Sequence, residues 1–148
     1  MGRNMAFKFK LEKVLDYRKQ LEEQAMQALA EARRAEEQEK TRLEGLRLEL
    51  AAQRASLNAS IHDAAERWLV SSYISALAED IRTAERVLEI LAEEIVLRQA
   101  ALVQKAQDRQ LLDKLKDKQA LRHAHEEKLK EQRDNDETAT IRYKKKAV

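Results

Sequence analysis

The chain has 148 residues, of which 38% are Asp, Glu, Lys or Arg, and its formal net charge is +2. Proline and cysteine are absent and glycine occurs only twice, which excludes disulfides, thiolate metal sites and glycine-rich phosphate loops. Interleaved acidic and basic residues do not fit a dedicated nucleic-acid-binding protein. No apolar run is long enough to span a bilayer, so no direct membrane insertion is expected. The predominance of Ala, Leu, Glu, Lys and Arg indicates long helices or coiled coil.

The first half of the chain carries an apolar heptad pattern that predicts helix 1 at about residues 7–58. Its members alternate spacings of three and four residues, as the buried seam of a coiled coil does. They are Phe7, Leu11, Val14, Arg18, Leu21, Ala25, Ala28, Ala32 and Ala35. After Ala35 the frame slips by one residue and resumes through Leu43, Leu46, Leu50, Leu57 and Ile61. The run of small Ala side chains predicts close approach of a partner helix.

The second half carries a cleaner pattern, which predicts helix 2 at about residues 71–140. Its seam runs through Ile74, Leu77, Ile81, Ala84, Leu88, Leu91, Ile95, Arg98, Leu102, Lys105, Arg109 and Leu112. Beyond this run the seam thins to Leu121 and Leu129, which indicates a loosely packed helix. Residues 141–148 are predicted to form a basic tail.

A turn is predicted between the two helices at about residues 59–70, because Ser and Asn near residue 58 favour turns and caps over helix interiors. Either Ser60 or Asp63 is suited to cap helix 2, and Glu66 lies three residues after Asp63 as in a capping box. Each helix needs a partner for its apolar stripe. We therefore predict an all-α, antiparallel coiled-coil hairpin that forms a single domain over residues 1–148. The alternative is one continuous helix that dimerises with a second chain.

The longest uncharged run, from Trp68 to Ala78, lies where the hairpin is expected to bend. It contains the only Trp, together with Tyr73 and Leu77. An uncharged, partly aromatic surface on a two-helix tip is typical of a protein contact. The alternative is that Trp68 and Leu69 fold over the turn as a cap.

Three further groups of residues are candidate sites. Phe9 lies about 200° away from the seam on a helix and Tyr17 also lies off it, so both are candidate protein anchors beside basic residues. The alternative is that these aromatic residues pack against the C-terminal segment. His123 and His125 point in opposite directions on a helix and cannot share a metal ion. The run from Ile141 to Lys146 is either a solvated tail or a basic surface for an acidic partner.

Three motifs in this order resemble the FliJ family of the bacterial flagellar type III export apparatus, and together they cover almost the whole chain. The first is an N-terminal motif, Phe7-x-Phe9-x-Leu11-x-x-Val14-Leu15-x-x-Arg18. The second is a central motif, Arg67-Trp68 followed by Tyr73-Ile74-x-x-Leu77-x-x-x-Ile81. The third is Asp136-Glu137 before Ala139, Arg142 and a basic end. Asp80 departs from the small apolar residue that the family pattern favours.

This resemblance implies a non-enzymatic coiled-coil stalk without a cofactor or metal, on the cytoplasmic side of the membrane at the flagellar base. The implied partners are the export ATPase ring, the transmembrane export-gate protein and substrate chaperones, with the chain itself a monomeric hairpin. The implied export-gate contacts are Trp68, Tyr73, Leu77 and Ile81. The implied ATPase-ring contacts are Phe7, Phe9, Leu11, Leu15, Tyr17, Arg18 and Arg142. The alternatives are the equivalent stalk of a virulence secretion system, and a generic coiled-coil scaffold or nucleic-acid-binding rod.

Overall fold

Two long helices form the fold in a computed structural model that describes residues 6–59 and 63–147. Helix α1 spans Glu12–Ala59 and helix α2 spans Ala64–Lys146. They pack against each other in an antiparallel arrangement. Arg47, late in α1, contacts Glu85, early in α2, whereas Ala28, earlier in α1, contacts Arg98, later in α2. The predicted all-α antiparallel hairpin is therefore confirmed.

The chain divides into two compact units, which are described separately. Unit 1 comprises Met1–Glu22 and Gln104–Val148, and unit 2 comprises Glu23–Val103. Each unit contains a segment of both helices. The prediction of one domain over the whole chain stays a prediction.

The buried face of α1 in unit 2 differs from the predicted frame. One row of buried or half-buried residues keeps spacings of three and four without the predicted slip: Ala25, Leu29, Ala32, Glu36, Glu39, Leu43, Leu46, Leu50, Gln53 and Leu57. The predicted frame included Ala28 and Ala35, which are half-buried, and left out their neighbours Leu29, which is buried, and Glu36, which is half-buried. Glu fits at such positions because its aliphatic stem packs while its carboxylate reaches the rim. Ile61, which the prediction added to this seam, lies outside the described residues.

The predicted seam of α2 is confirmed, since every one of its members is buried or half-buried. In unit 1 the half-buried face continues with the same spacing through Lys116, Gln119 and His123. The two leucines predicted to extend it, Leu121 and Leu129, are exposed. The correct extension is polar, and a search for apolar residues therefore missed it.

Helix α1 begins at Glu12 rather than near Phe7, which corrects the predicted boundary. The preceding segment is not helical, and the backbone N–H of Glu12 donates to the carbonyl of Phe9 at 3.2 Å. Phe9 is only 7% exposed, and the ring of Phe7 lies 5.7 Å from that of His123. The prediction of an exposed Phe9 is wrong because it assumed helical geometry. The alternative, in which the aromatic residues pack on the C-terminal segment, fits the contact with His123.

Helix α2 begins at Ala64, so the turn predicted for residues 59–70 is too long. Asp63 caps this helix, as predicted: its Oδ1 accepts a hydrogen bond from the backbone N–H of Glu66 at 2.8 Å. The carbonyl of Asp63 also accepts the first helical hydrogen bond, from Arg67. The other predicted cap, Ser60, lies outside the described residues.

The C-terminal part of α2 extends to Lys146 instead of ending near residue 140. Every residue from Lys128 to Ala147 is exposed, so this segment is helical without packing against another part of unit 1. Its composition suits an isolated helix, with acidic residues before the last turns and three lysines in the last turn. The predicted basic tail is therefore mostly the end of a helix.

Candidate functional site

The first candidate surface lies on the first turns of α2 in unit 2 and is called the tip surface here; it consists of Trp68, Leu69 and Tyr73. The Trp68 side chain is 68% exposed, and Leu69 and Tyr73 are also exposed. This exposure favours a contact surface over the alternative in which Trp68 and Leu69 fold over the turn as a cap; residues 60–62 of that turn lie outside the described residues. An exposed Trp beside an exposed Leu is costly to leave in water and is well suited to a protein contact.

A polar contact to α1 holds the ring of Tyr73. Its hydroxyl donates to Oε1 of Glu49 at 3.3 Å, and Nε2 of Gln53 donates to the same oxygen at 3.2 Å. Desolvation and the nearby carboxylates of Glu49 and Asp80 raise the pKa of the Tyr73 hydroxyl. The hydroxyl therefore stays protonated as a donor, and one edge of the ring remains accessible.

The other two predicted gate contacts belong to the packed seam. Leu77 is 4% exposed and Ile81 is half-buried. Both are among the apolar residues that hold α2 against α1. Of the four predicted residues, Trp68 and Tyr73 are the two whose side chains are exposed.

The second candidate surface lies in unit 1 and is called the terminal surface; it has two separate parts, Leu11 and Tyr17 near the start of α1 and Arg142 near the end of α2, all three exposed. The other predicted ring contacts are less accessible. Phe9 and Leu15 are buried, whereas Phe7 and Arg18 are half-buried. Arg18 also forms an ion pair with Asp108 at 3.5 Å. The predicted set thus contains both packing residues and surface residues.

Ion pairs between the helices form the polar part of the packing in unit 1. Lys116 pairs with Glu12 at 2.8 Å, and Arg109 pairs with Glu22 across the helices and with Asp113 in its own helix. Hydrogen bonds to Glu22 and Asp113 raise the pKa of Arg109, and the hydrogen bond to Glu12 raises that of Lys116. The heptad spacing predicts that Arg109 lies on the seam but does not identify its partner, because the pairing depends on the register between the helices.

The last turns of α2 carry a basic and aromatic face. Arg142, Tyr143 and Lys146 lie on one side of the helix with Ala139, at spacings of three and four residues, and line a shallow depression. All four residues are exposed, and Tyr143 makes its aromatic ring available beside two cations. Such a face attracts acidic groups and offers an aromatic contact to them.

The described residues contain no grouped metal ligands and no membrane-spanning helix. Within residues 6–59 and 63–147, no three His, Cys, Asp or Glu side chains are grouped so that they could hold a metal ion. Nε2 of His123 lies 3.8 Å from a carboxylate oxygen of Glu127, one turn away on the same helix. In the same described ranges, neither helix is long and apolar enough to cross a membrane.

A family model described as "Flagellar FliJ protein" matches residues 7–147, which include both surfaces and nearly all of the chain. The chain belongs to the FliJ family. Comparisons with curated proteins and with solved structures gave no match. Family membership makes the chain a component of bacterial flagellar protein export, associated with the export apparatus. The resemblance of its three motifs to the FliJ family is thereby confirmed.

Proposed function

We propose that this FliJ-family chain is a non-enzymatic adaptor on the cytoplasmic side of the membrane, peripheral to it. The tip surface contacts the transmembrane export-gate protein, and the terminal surface contacts the export ATPase ring. The chain also escorts substrate chaperones, a role that rests on family membership alone. The observation that carries the proposal is the exposure of Trp68 on a folded helix that does not need it for packing.

The tip surface supports a gate contact because it combines exposed area with a fixed geometry. Trp68 and Leu69 offer apolar area, and the Tyr73 ring is held by its hydrogen bond to Glu49. An aromatic residue held in place loses little conformational entropy on binding. Large aromatic side chains also dominate the energetics of protein interfaces. Leu77 contributes indirectly, because its packing fixes the part of α2 that carries Trp68 and Tyr73.

The terminal surface supports a ring contact through charge and an exposed aromatic residue. Arg142 lies among the lysines of the last turn of α2, and Tyr17 is exposed on α1. A ring opening lined by acidic or amide groups would attract the cations and accept the Tyr17 hydroxyl as a donor. In this proposal the chain performs no chemistry and acts by binding the two partners through separate surfaces.

The gate contact is tested with Trp68→Ala in the purified full-length chain and the cytoplasmic domain of the export-gate protein. Loss of a central Trp typically costs about 2 kcal/mol or more, which weakens binding by roughly 30-fold. The control is Leu48→Ala, because Leu48 is as exposed as Trp68 but lies on α1 outside the tip surface. Equal binding by Trp68→Ala and the unmodified chain would rule out the gate contact. So would equal weakening by Leu48→Ala.

The ring contact is tested with the double variant Tyr17→Ala, Arg142→Gln and the purified export ATPase. Weaker binding is expected, with a loss that grows as the salt concentration is lowered, because one of the two contacts is electrostatic. The control is Leu121→Ala, which removes an exposed apolar side chain from the same unit. Unchanged ATPase binding by the double variant would remove the terminal surface from the proposal and leave the tip surface unaffected.

A further inference from the structure

A shallow groove in unit 2 lies outside both surfaces described above. It has a volume of about 430 Å³ and is lined by Met26, Leu29, Ala30, Arg33, Arg34 and Leu102. Leu29 is buried and Leu102 half-buried, so they form an apolar floor, whereas the other four side chains are exposed. The α1 residues recur at spacings of three and four, so they form one continuous face of that helix. The groove is therefore an accessible apolar strip with guanidinium groups at its rim.

The two arginines at this rim make few polar contacts within the chain. In the part of the chain that the structure describes, no ion pair involves Arg33 or Arg34, and the one hydrogen bond of Arg34 goes to the carbonyl of Ala30 in its own helix, at 3.5 Å. Other arginines of unit 2 do pair with carboxylates, such as Arg47 with Glu85 at 3.2 Å. A guanidinium group binds a carboxylate through two parallel hydrogen bonds. Two such groups beside an apolar floor are complementary to an acidic, amphipathic ligand.

We propose that this groove binds one amphipathic helix of a partner protein. The apolar side chains of that helix enter the space between Met26 and Leu102, and its carboxylates bind Arg33 and Arg34. Binding of a helix along an apolar groove is a common mode of recognition, and three or four anchor residues on one face suffice for it. The charges at the rim then select helices that carry Glu or Asp beside the apolar face.

A second copy of this chain fits the groove poorly. In a two-fold dimer the same patch meets itself, so such pairing through this groove would bring the arginines of both copies together. Like charges held close to one another oppose association. The charges therefore favour an acidic partner over self-association. The inference does not depend on the gate or ring contacts, since neither the tip surface nor the terminal surface includes a groove residue.

The test uses two synthetic helical peptides of about four turns, each with a Leu stripe, flanked in one peptide by two Glu residues and in the other by two Gln residues. Binding to the full-length chain is followed by fluorescence anisotropy. The Glu peptide should bind at least about tenfold more tightly, a difference of about 1.4 kcal/mol. The double variant Arg33→Gln, Arg34→Gln should remove that preference. Arg86→Gln, which changes an exposed arginine of unit 2 outside the groove, should retain it.

The position of the peptide is tested with Ala30→Lys, which places a long side chain in the groove at an exposed helical position. Helix content should be unchanged in circular dichroism, and both peptides should lose binding. The proposal is overturned if the two peptides bind equally, if the double arginine variant keeps the preference, or if Ala30→Lys binds the Glu peptide normally. It is also overturned if sedimentation shows that the chain dimerises and that Ala30→Lys abolishes the dimer. Each of these outcomes leaves the proposed gate and ring contacts untouched.

Discussion

Two adjacent residues of α1 distinguish the observed packing face from the one predicted by sequence. Leu15 is 0% exposed, whereas Val14 is 42% exposed, although the predicted seam contained Val14. Replacing a buried Leu with Ala typically costs about 2–5 kcal/mol, from lost burial and from the cavity left behind. Replacing the exposed Val14 with Ala removes less buried area and gains about 0.5 kcal/mol or more of helix propensity. We therefore expect Leu15→Ala to destabilise unit 1 by about 3 kcal/mol and Val14→Ala by less than about 1 kcal/mol.

Amide hydrogen exchange is the appropriate assay, because it reports the opening of each unit separately. A loss of 3 kcal/mol would increase the exchange of the α1 amides in unit 1 by roughly 100-fold. Both variants introduce Ala in the same turn, so the new residue has the same helix propensity in each. Equal effects, or a larger effect of Val14→Ala, would refute the observed packing face. Leu15→Ala could also weaken binding to the export ATPase ring through loss of folding. In that case, cooling to a temperature at which the variant is folded should restore binding. If Leu15 contacted the ring directly, cooling would not restore it.

The remaining predictions concern the tip surface, the start of α2 and the alkaline limit of stability. In thermal unfolding, Leu77→Ala should lower the free energy of unfolding by about 2–5 kcal/mol and Trp68→Ala by less than about 1 kcal/mol; equal effects would contradict the burial difference between them. Asp63→Ala should cost about 0.5–2 kcal/mol through the lost N-cap, and Asp63→Asn should retain most of that stability. Glu49→Gln should lower the pKa of Tyr73, measured by ultraviolet absorbance in a background without the other two tyrosines. Because folding raises this pKa above 10.0, its contribution to stability is present below that pH and is lost as the pH rises through the raised pKa. An unchanged pKa would exclude the contact with Glu49.

The seam of α2 could be predicted from sequence because its members are mostly Ile and Leu, so only one frame fits them. The frame of α1 is ambiguous, because Leu and Ala occur at neighbouring positions such as Ala28 and Leu29. A choice between them requires the position of the opposing helix, which one sequence does not supply. Glu at a packed position makes the choice harder, since it resembles a surface residue in any hydrophobicity pattern.

The N-terminal boundary was mispredicted for a different reason. Phe7, Phe9 and Leu11 alternate with polar residues, a period of two that does not suit a helix. The prediction included Phe7 and Leu11 because both also fit the heptad spacing of the residues that follow. The burial of Phe9 follows from the non-helical course of this segment, along which it reaches the packing of unit 1 before α1 begins.

Some residues predicted for the candidate surfaces are exposed and others are packed, because exposure depends on whether a residue lies on the seam. The uncharged run around Trp68 correctly indicated an unusual surface, since no charge interrupts it. Leu77 and Ile81 were assigned both to the seam and to the gate contact, and their burial favours the seam. The groove beside Arg33 was not predicted, because it forms only where Leu102 lies against that part of α1.

Polar groups in the packed faces fix which residues of the two helices meet. In unit 2, Arg98 donates to the backbone carbonyl of Ala28 at 2.6 Å, a contact that the small Ala side chain leaves open, and also pairs with Glu94. Apolar side chains tolerate displacement by one heptad, because one Leu or Ile replaces another. A guanidinium group does not, since the displacement would leave a partly buried charge without its acceptor. Apolar contacts therefore supply most of the stability of the hairpin, and the arginines determine its register. The register in turn sets which side chains remain exposed for partners.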